Sequence, residues 1–358
     1  MARLPTGGID RRDKVKIAVL AAAVLAIPAA IVLPWVHRHL EAFFSGARAQ
    51  LFGQVLVAIL LEAFPFVLIG ATISGLVEVF LPPERLARLI PRRLPLRLLM
   101  AAGAGIILPV CECGIVPVAR RLLRKGLPIE MAVVFMLAGP IVNPMVVAST
   151  AVAFVGQGLS LPMTVARVAC GVTVAMLVGL AVYAWFGRGS ARDAAPAADD
   201  AHTHSGCAEA HGRHGPDGAA GSVVANVLSH IVHDFLLLGG YLLLGSLLAA
   251  GLQAFMPRDL LVSVGKTPVL ATAAMMLMAF LLNVCSEADA FLAAAFAQFS
   301  FAGRLGFLVF GPMLDVKLVA MYLGAFPKRM LLAVLLLVPP LCLTLSELAG
   351  WVVAMLMG

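Results

Sequence analysis

Leu108-Pro109-Val110-Cys111-Glu112-Cys113-Gly114-Ile115-Val116-Pro117 sets two thiols and a carboxyl group inside an otherwise apolar run. Its elements return downstream in Cys285-Ser286-Glu287-Ala288-Asp289, with Asn283 just before them. Ionisable groups at membrane depth cost on the order of several kcal/mol unless they face protein or water, so they mark candidate functional sites. A polar centre shared by two related halves points to transport.

Composition puts the run at membrane depth. The chain has 358 residues, 61% of them hydrophobic and 13% charged, with a mean hydropathy of +1.00. Soluble domains carry about 25% charged residues. Many apolar runs reach about 20 residues, enough to cross a hydrocarbon core of about 30 Å. These features predict an all-α polytopic membrane protein in contact with the lipid bilayer. The net charge of +7 reads as topology information, since the basic residues cluster in short loops beside the spans. No basic face interleaved with aromatic residues supports nucleic-acid binding. No Walker motif, catalytic triad or dinucleotide fingerprint occurs, so an enzyme, a bound cofactor and ATP-driven transport by this chain itself are not expected.

Apolar runs and their breaks predict helices near 15–36, 51–80, 128–155, 163–186, 228–255, 304–326 and 330–357. Two further apolar segments, 98–119 and 268–299, hold the Cys/Glu clusters. Arg11, Arg12, Lys14 and Lys16 precede the run 17–36, which is long for a signal peptide and lacks a small-x-small cleavage site. It reads as a retained helix that starts in the cytoplasm. The expected organisation is a tail and first helix over 1–45, one permease half over 46–186, a disordered His-rich linker over 187–222, and a second half over 223–358.

The halves match in order. Gly70 and Phe80-Leu81-Pro82 correspond to Gly245 and Phe255-Met256-Pro257, and Cys111 corresponds to Cys285. Gly139-Pro140-Ile141-Val142-Asn143 corresponds to Gly311-Pro312-Met313-Leu314-Asp315 at nearly the same spacing. Arg85, Arg88, Arg92, Arg93 and Arg97 precede segment 98–119, and Arg120, Arg121, Arg124 and Lys125 follow it. A full span would place one basic cluster outside, whereas a re-entrant hairpin keeps both inside. Gly103, Gly105, Pro109 and Gly114 suit a broken helix lining a cavity. Each repeat then holds three spans and one re-entrant element, and the odd number inverts the second repeat. The alternative is a straight span at 98–119 with parallel repeats.

At Cys111-Glu112-Cys113 the sulfurs suit soft ions or trivalent metalloids, and Glu112 suits a proton or a cationic charge. The competing reading packs both cysteines as small apolar residues and pairs Glu112 with an arginine. Glu287 and Asp289, with Cys285, sit in an apolar segment with no Lys or Arg beside them in sequence. Asn143 and Asp315 follow Gly-Pro breaks that free backbone groups for ligands, and Lys317 stands ready to neutralise Asp315. Glu62, just before Pro65, is another intramembrane acid, proton site or cavity-facing. Cys170 and Cys342 read as packing residues. In the linker His202, His204, Cys207, His211 and His214 suit loose chelation of zinc, copper or nickel, or a plain solvated segment. His230, His233 and Asp234 open the next helix and extend that site or sit at the interface.

The motif 108–117, Ala138-Gly139-Pro140-Ile141-Val142-Asn143-Pro144, Cys285-Ser286-Glu287-Ala288-Asp289-Ala290-Phe291 and Phe310-Gly311-Pro312-Met313-Leu314-Asp315-Val316-Lys317 together resemble a predicted-permease family. That family includes the ArsP-type organoarsenical efflux permeases, and the resemblance covers most of 50–345. It implies a multi-pass inner-membrane permease, with export of trivalent methylated arsenicals in some relatives and divalent-metal efflux in others. It also implies that some members work with a second membrane subunit. The expected function is secondary export of a small soft solute, an organoarsenical or a transition-metal ion. The alternative is a non-transporting subunit of a two-component complex, and a thiol oxidoreductase is disfavoured because Cys-x-Cys lacks the usual Cys-x-x-Cys spacing.

Overall fold

The structure is a computed structural model that describes residues 47–108, 110–186, 219–255 and 267–357. The first helix, the His/Cys run of the linker and Met256-Pro257 of the repeat match lie outside the described residues. The chain divides into compact units 1–54 and 55–358. Of the first, 47–54 are described, as helix; the second holds both Cys/Glu clusters and all the contacts given below.

Thirteen α-helices are described: α1 Ala47–Phe80, α2 Pro83–Leu89, α3 Leu94–Ile107, α4 Glu112–Arg124, α5 Ile129–Val142, α6 Pro144–Ala153, α7 Ser160–Phe186, α8 Ala219–Phe255, α9 Pro268–Leu282, α10 Asp289–Ala295, α11 Phe301–Phe310, α12 Val316–Ala325 and α13 Lys328–Met357. Four of them, α1, α7, α8 and α13, are long and apolar enough to cross a membrane, and α5 with α6 makes a fifth span bent by 41°. An all-α polytopic architecture is thus what the sequence predicts. Three details differ. The spans expected at 128–155 and 304–326 are each broken, the first at Asn143 and the second over 311–315. Residues 219–222, expected in the linker, are already helical.

Interhelix contacts give the helix directions. Arg97 near the start of α3 reaches Glu130 at the start of α5, at 3.3 Å. Further along, a Cβ on Gly105 of α3 would lie 2.5 Å from the Gly139 Cα of α5. The two helices therefore run parallel. α5 follows α4 after the short loop 125–128, and Ile115 of α4 packs on Gly139, so α4 runs back against α5. The segment holding Cys111 enters and leaves at the same end, as a hairpin. At about 1.5 Å per residue, the 14 residues of α3 span about 21 Å, short of a full crossing. α1 runs alongside α4, with Gly70 over Gly114 and Glu78 beside Lys125 at 3.5 Å. α7 returns antiparallel to α5, with Gly171 on Ile141 and Gly179 on Val134.

In the second half the same logic gives opposite directions. α8 runs against α1, since Gly75 meets Val227 and Ile231 while Gly239 meets Phe64. α12 runs against α8, with Gly245 on Lys317 and Gly324 on Tyr241. α9 and α11 are parallel, pairing Gly303 with Thr272 and Gly311 with Ala279, and α13 is antiparallel to α11 through Gly350 on Ala302. Basic residues 85–125 and Lys328-Arg329 mark one end of these helices, here the basic end. Loop 154–159 marks the other, where Gln157 donates to the Ala294 carbonyl at 2.8 Å. Small residues at these crossings let backbones approach without an apolar driving force between helices.

α5 and most of α4 and α11 are buried, whereas α3 shows Leu99, Met100, Ile106 and Ile107 outward. The inner hairpin arm α4 thus lies in a protein interior, and α10 buries Asp289, Ala290 and Ala293 while Phe291 faces outward. Non-helical backbone at this depth is tolerated because protein encloses it.

Candidate functional site

The hairpin tips meet in the middle. Cys111, the residue before α4, has extended backbone and leads directly into Glu112. In the second half, α9 ends at Asn283, which adopts left-handed φ 50°, a conformation asparagine tolerates better than most residues. The freed α9 carbonyls are then satisfied by side chains. Asn283 Nδ2 donates to the Leu281 oxygen at 2.9 Å, and Gln253 Nε2 donates to the Leu281 and Leu282 oxygens at 2.9 and 2.8 Å. The next turn delivers Cys285, Ser286 and Glu287.

Glu112 is 2% exposed and holds the centre together. Ser286 Oγ donates to Glu112 Oε2 at 2.7 Å, and Lys317 Nζ donates to Glu112 Oε1 at 3.3 Å. Lys317 also faces Asp315 Oδ2 at 3.5 Å and donates to the Asn283 carbonyl at 3.3 Å. A cation in the first turn of α12 opposes the helix dipole, so these oxygens are what hold it. Asp315 caps the same helix, accepting from the Leu318 amide at 2.6 Å. The Cys111 and Cys113 side chains lie close to each other. Cys285 donates to Glu287 at 2.7 Å, and Glu62 of α1 lies near it. Glu62 and Cys113 lie within electrostatic reach of Lys317.

Glu62, Cys111, Glu112, Cys113, Cys285, Glu287, Asp315 and Lys317 therefore converge. Asn143 stands outside this set; it caps α6, accepting from Met145 N at 3.0 Å. The partners of Glu112 are Lys317 and Ser286 from the other half, not the arginine of the competing reading. Asp289, with no Lys or Arg beside it in sequence, finds a basic partner on a distant helix. Arg167, seven residues into α7, reaches Asp289 Oδ2 at 2.8 Å. An isolated Arg in the apolar run 160–186 was the signal that would have singled it out. His230, His233 and Asp234 lie within α8 and not at its start. Asp234 pairs with Arg121 at 2.7 Å and accepts from Ser74 at 2.7 Å. Cys170 and Cys342 are buried among apolar neighbours, as packing residues should be.

Among the described residues no three His, Cys, Asp or Glu side chains are grouped so as to hold a metal ion. His202, His204, Cys207, His211 and His214 lie outside those residues. The centre offers thiols, four carboxyl groups and one ammonium. In a low-dielectric interior that many unbalanced carboxylates are costly, so the arrangement suits groups that take up protons or a cationic solute.

A family described as predicted permeases matches residues 49–353. The UPF0718 protein YcgR of Bacillus subtilis (strain 168) is 36% identical over 277 residues, 77% of this chain and 89% of that protein. A Streptococcus mutans serotype c protein, named as a candidate two-component membrane permease complex subunit, is 34% identical over 279 residues, 78% of this chain and 88% of its own length. No solved structure matches the chain.

Proposed function

Since this chain belongs to that predicted-permease family, we propose that it is a secondary transporter of the inner membrane exporting a small soft solute from the Glu112–Lys317 centre. The observation that carries this reading is the contact of Glu112 with Ser286, 174 residues away. The sequence match of Cys111 with Cys285 makes these two residues equivalent, and equivalent residues meet across a two-fold axis. The second half runs opposite to the first at every helix with a directional contact, which supports inverted repeats that rock about a midplane site. The basic end is then the cytoplasmic one. Thiols suit a trivalent organoarsenical or a transition-metal ion as cargo, and the surplus carboxyls suit proton coupling.

Cells lacking the protein and cells expressing it should differ in resistance to, and accumulation of, at least one of trivalent methylated arsenicals, zinc, copper and nickel. No difference with any of them overturns the soft-solute reading. The name of the streptococcal relative favours a second reading, a subunit that needs a partner. Reconstitution of this chain alone separates the two: flux without a partner supports the first, and flux only with one supports the second.

Topology has its own check. Ile90→Cys and Leu122→Cys flank the hairpin and are expected to react with an impermeant maleimide from the same side of the membrane. Labelling from opposite sides would refute the hairpin and the inversion together.

A further inference from the structure

The Arg167–Asp289 pair breaks the two-fold pattern. At the Cys111–Cys285 spacing, the position matching Asp289 in the first half is Ile115. The pair also sits toward the loop end, because α7 starts there and α10 runs to it.

Its contacts are unevenly distributed. Arg167 is 1% exposed and Asp289 2%. Arg167 Nη2 serves both Asp289 Oδ2 at 2.8 Å and the Ser286 carbonyl at 3.1 Å. Arg167 Nη1 donates to Thr150 Oγ1 at 2.7 Å, whose hydroxyl donates to the Val146 oxygen at 2.7 Å. Asp289 Oδ1, in contrast, is buried with no hydrogen-bond partner. A carboxylate oxygen without a donor in a protein interior is an expensive arrangement unless a proton occupies it. Ser286 joins the two charge sites: its carbonyl is held by Arg167, and its hydroxyl is held by Glu112.

We propose that Asp289 is a second proton-binding site, on the loop-end side of the centre, with Arg167 as its counter-ion and Ser286 as its link to Glu112. The proposal rests on the permease reading and adds to it where the coupling proton first lands. A proton arriving from the loop end binds Asp289 Oδ1 and neutralises the carboxylate. Arg167 then keeps its bonds to the Ser286 carbonyl and Thr150 but loses its anionic partner, which loosens its hold on the second hairpin tip. The Ser286–Glu112 hydrogen bond carries that change to the centre. The groups facing Asp289 are Arg167 on α7, Glu112 on α4 and Glu287 at the tip. On α11, Arg304 is engaged with Gln157 and Phe154, and α6 has no titratable side chain. Arg167 is a positioning residue in this scheme, and the proton is the ligand.

Dicyclohexylcarbodiimide, which modifies protonated carboxyl groups in apolar surroundings, reads the site without any transported solute. Labelling of the purified full chain is followed by peptide mass spectrometry from acid to alkaline pH. Asp289 should be modified with a single pH midpoint. Arg167→Gln removes the counter-ion, so the carboxyl keeps its proton to higher pH and the midpoint should rise by about one pH unit or more. Arg167→Lys keeps the charge but not the fork that reaches Asp289, Ser286 and Thr150 together, and its midpoint should fall between. If Arg167→Gln does not fold, Arg167→Lys carries the test alone. Equal Asp289 midpoints in wild type and the folded Arg167 variants, or no Asp289 labelling at any pH, overturn the proposal. Failure of the accumulation experiment would sink the soft-solute reading and leave these midpoints untouched, so the two failures are distinguishable.

Discussion

Lys317→Met is expected to abolish transport and to destabilise the protein by about 3–5 kcal/mol, the usual cost of removing one partner from a buried ion pair. Lys317 is 2% exposed, and its ammonium is the cation that Glu112 and Asp315 both face, at 3.3 and 3.5 Å. Without it, two carboxylates remain in a site with no bulk water, and at least one must take up a proton. A double-mutant cycle isolates this coupling. Lys317→Met/Glu112→Gln removes the stranded charge together with its partner, and should recover about half or more of the stability lost in the single variant. Transport should stay absent in both, because stability returns without the acid that moves charge. Thermal unfolding in detergent checks the first part and solute flux the second. Strictly additive losses would show that Glu112 and Lys317 do not act as a pair.

The hairpin was legible in the sequence because charge and backbone chemistry agreed: basic clusters on both sides of 98–119, and Gly and Pro within it. The two acids of the central tips were legible for a related reason, since Glu112 and Glu287 stand out against an apolar background. What escaped were partners supplied by distant helices. Arg167 lies 122 residues from Asp289, and no local pattern says that α7 turns that side chain toward α10. Gln253 was likewise unremarkable in sequence, yet it satisfies two carbonyls at the α9 break. Periodicity also failed at 128–155 and 304–326, which look continuous because their apolar pattern runs through the breaks. There Pro144 in the first half and Gly311-Pro312 in the second, with the capping Asn143 or Asp315, outweigh hydrophobicity, since Pro interrupts the helical hydrogen bonds and a side-chain cap restarts them. The roles proposed for these residues follow from chemistry and convergence; their positions follow from packing.

Asp234→Ala is the second substitution with a large expected effect, about 3–5 kcal/mol of stability, and it acts far from the central acids. Asp234 is 2% exposed and gathers Ser74 Oγ at 2.7 Å, Arg121 Nη2 at 2.7 Å and Arg120 Nη1 at 3.9 Å. It thereby ties α1 and the hairpin arm α4 to α8, the first helix of the second half. Truncation leaves the Arg121 guanidinium buried beside Arg120, with Glu78 at 3.4 Å as its other acid. Glu78 is more open to solvent, with a side chain 31% exposed, so Glu78→Ala should cost about 1 kcal/mol or less. The ranking, more than either magnitude, is the test. It is read as the shift in thermal unfolding of each variant in the same detergent, with Asp234→Ala/Arg121→Met expected to regain much of the loss. If rocking opens the basic end, this cluster must part during the cycle, so Asp234→Asn should weaken the closed end while sparing the fold. That variant should raise the rate at which Leu122→Cys is labelled from the basic side. An unchanged labelling rate together with a full loss of stability would make the cluster a permanent clasp, and opening would then have to occur elsewhere along α4.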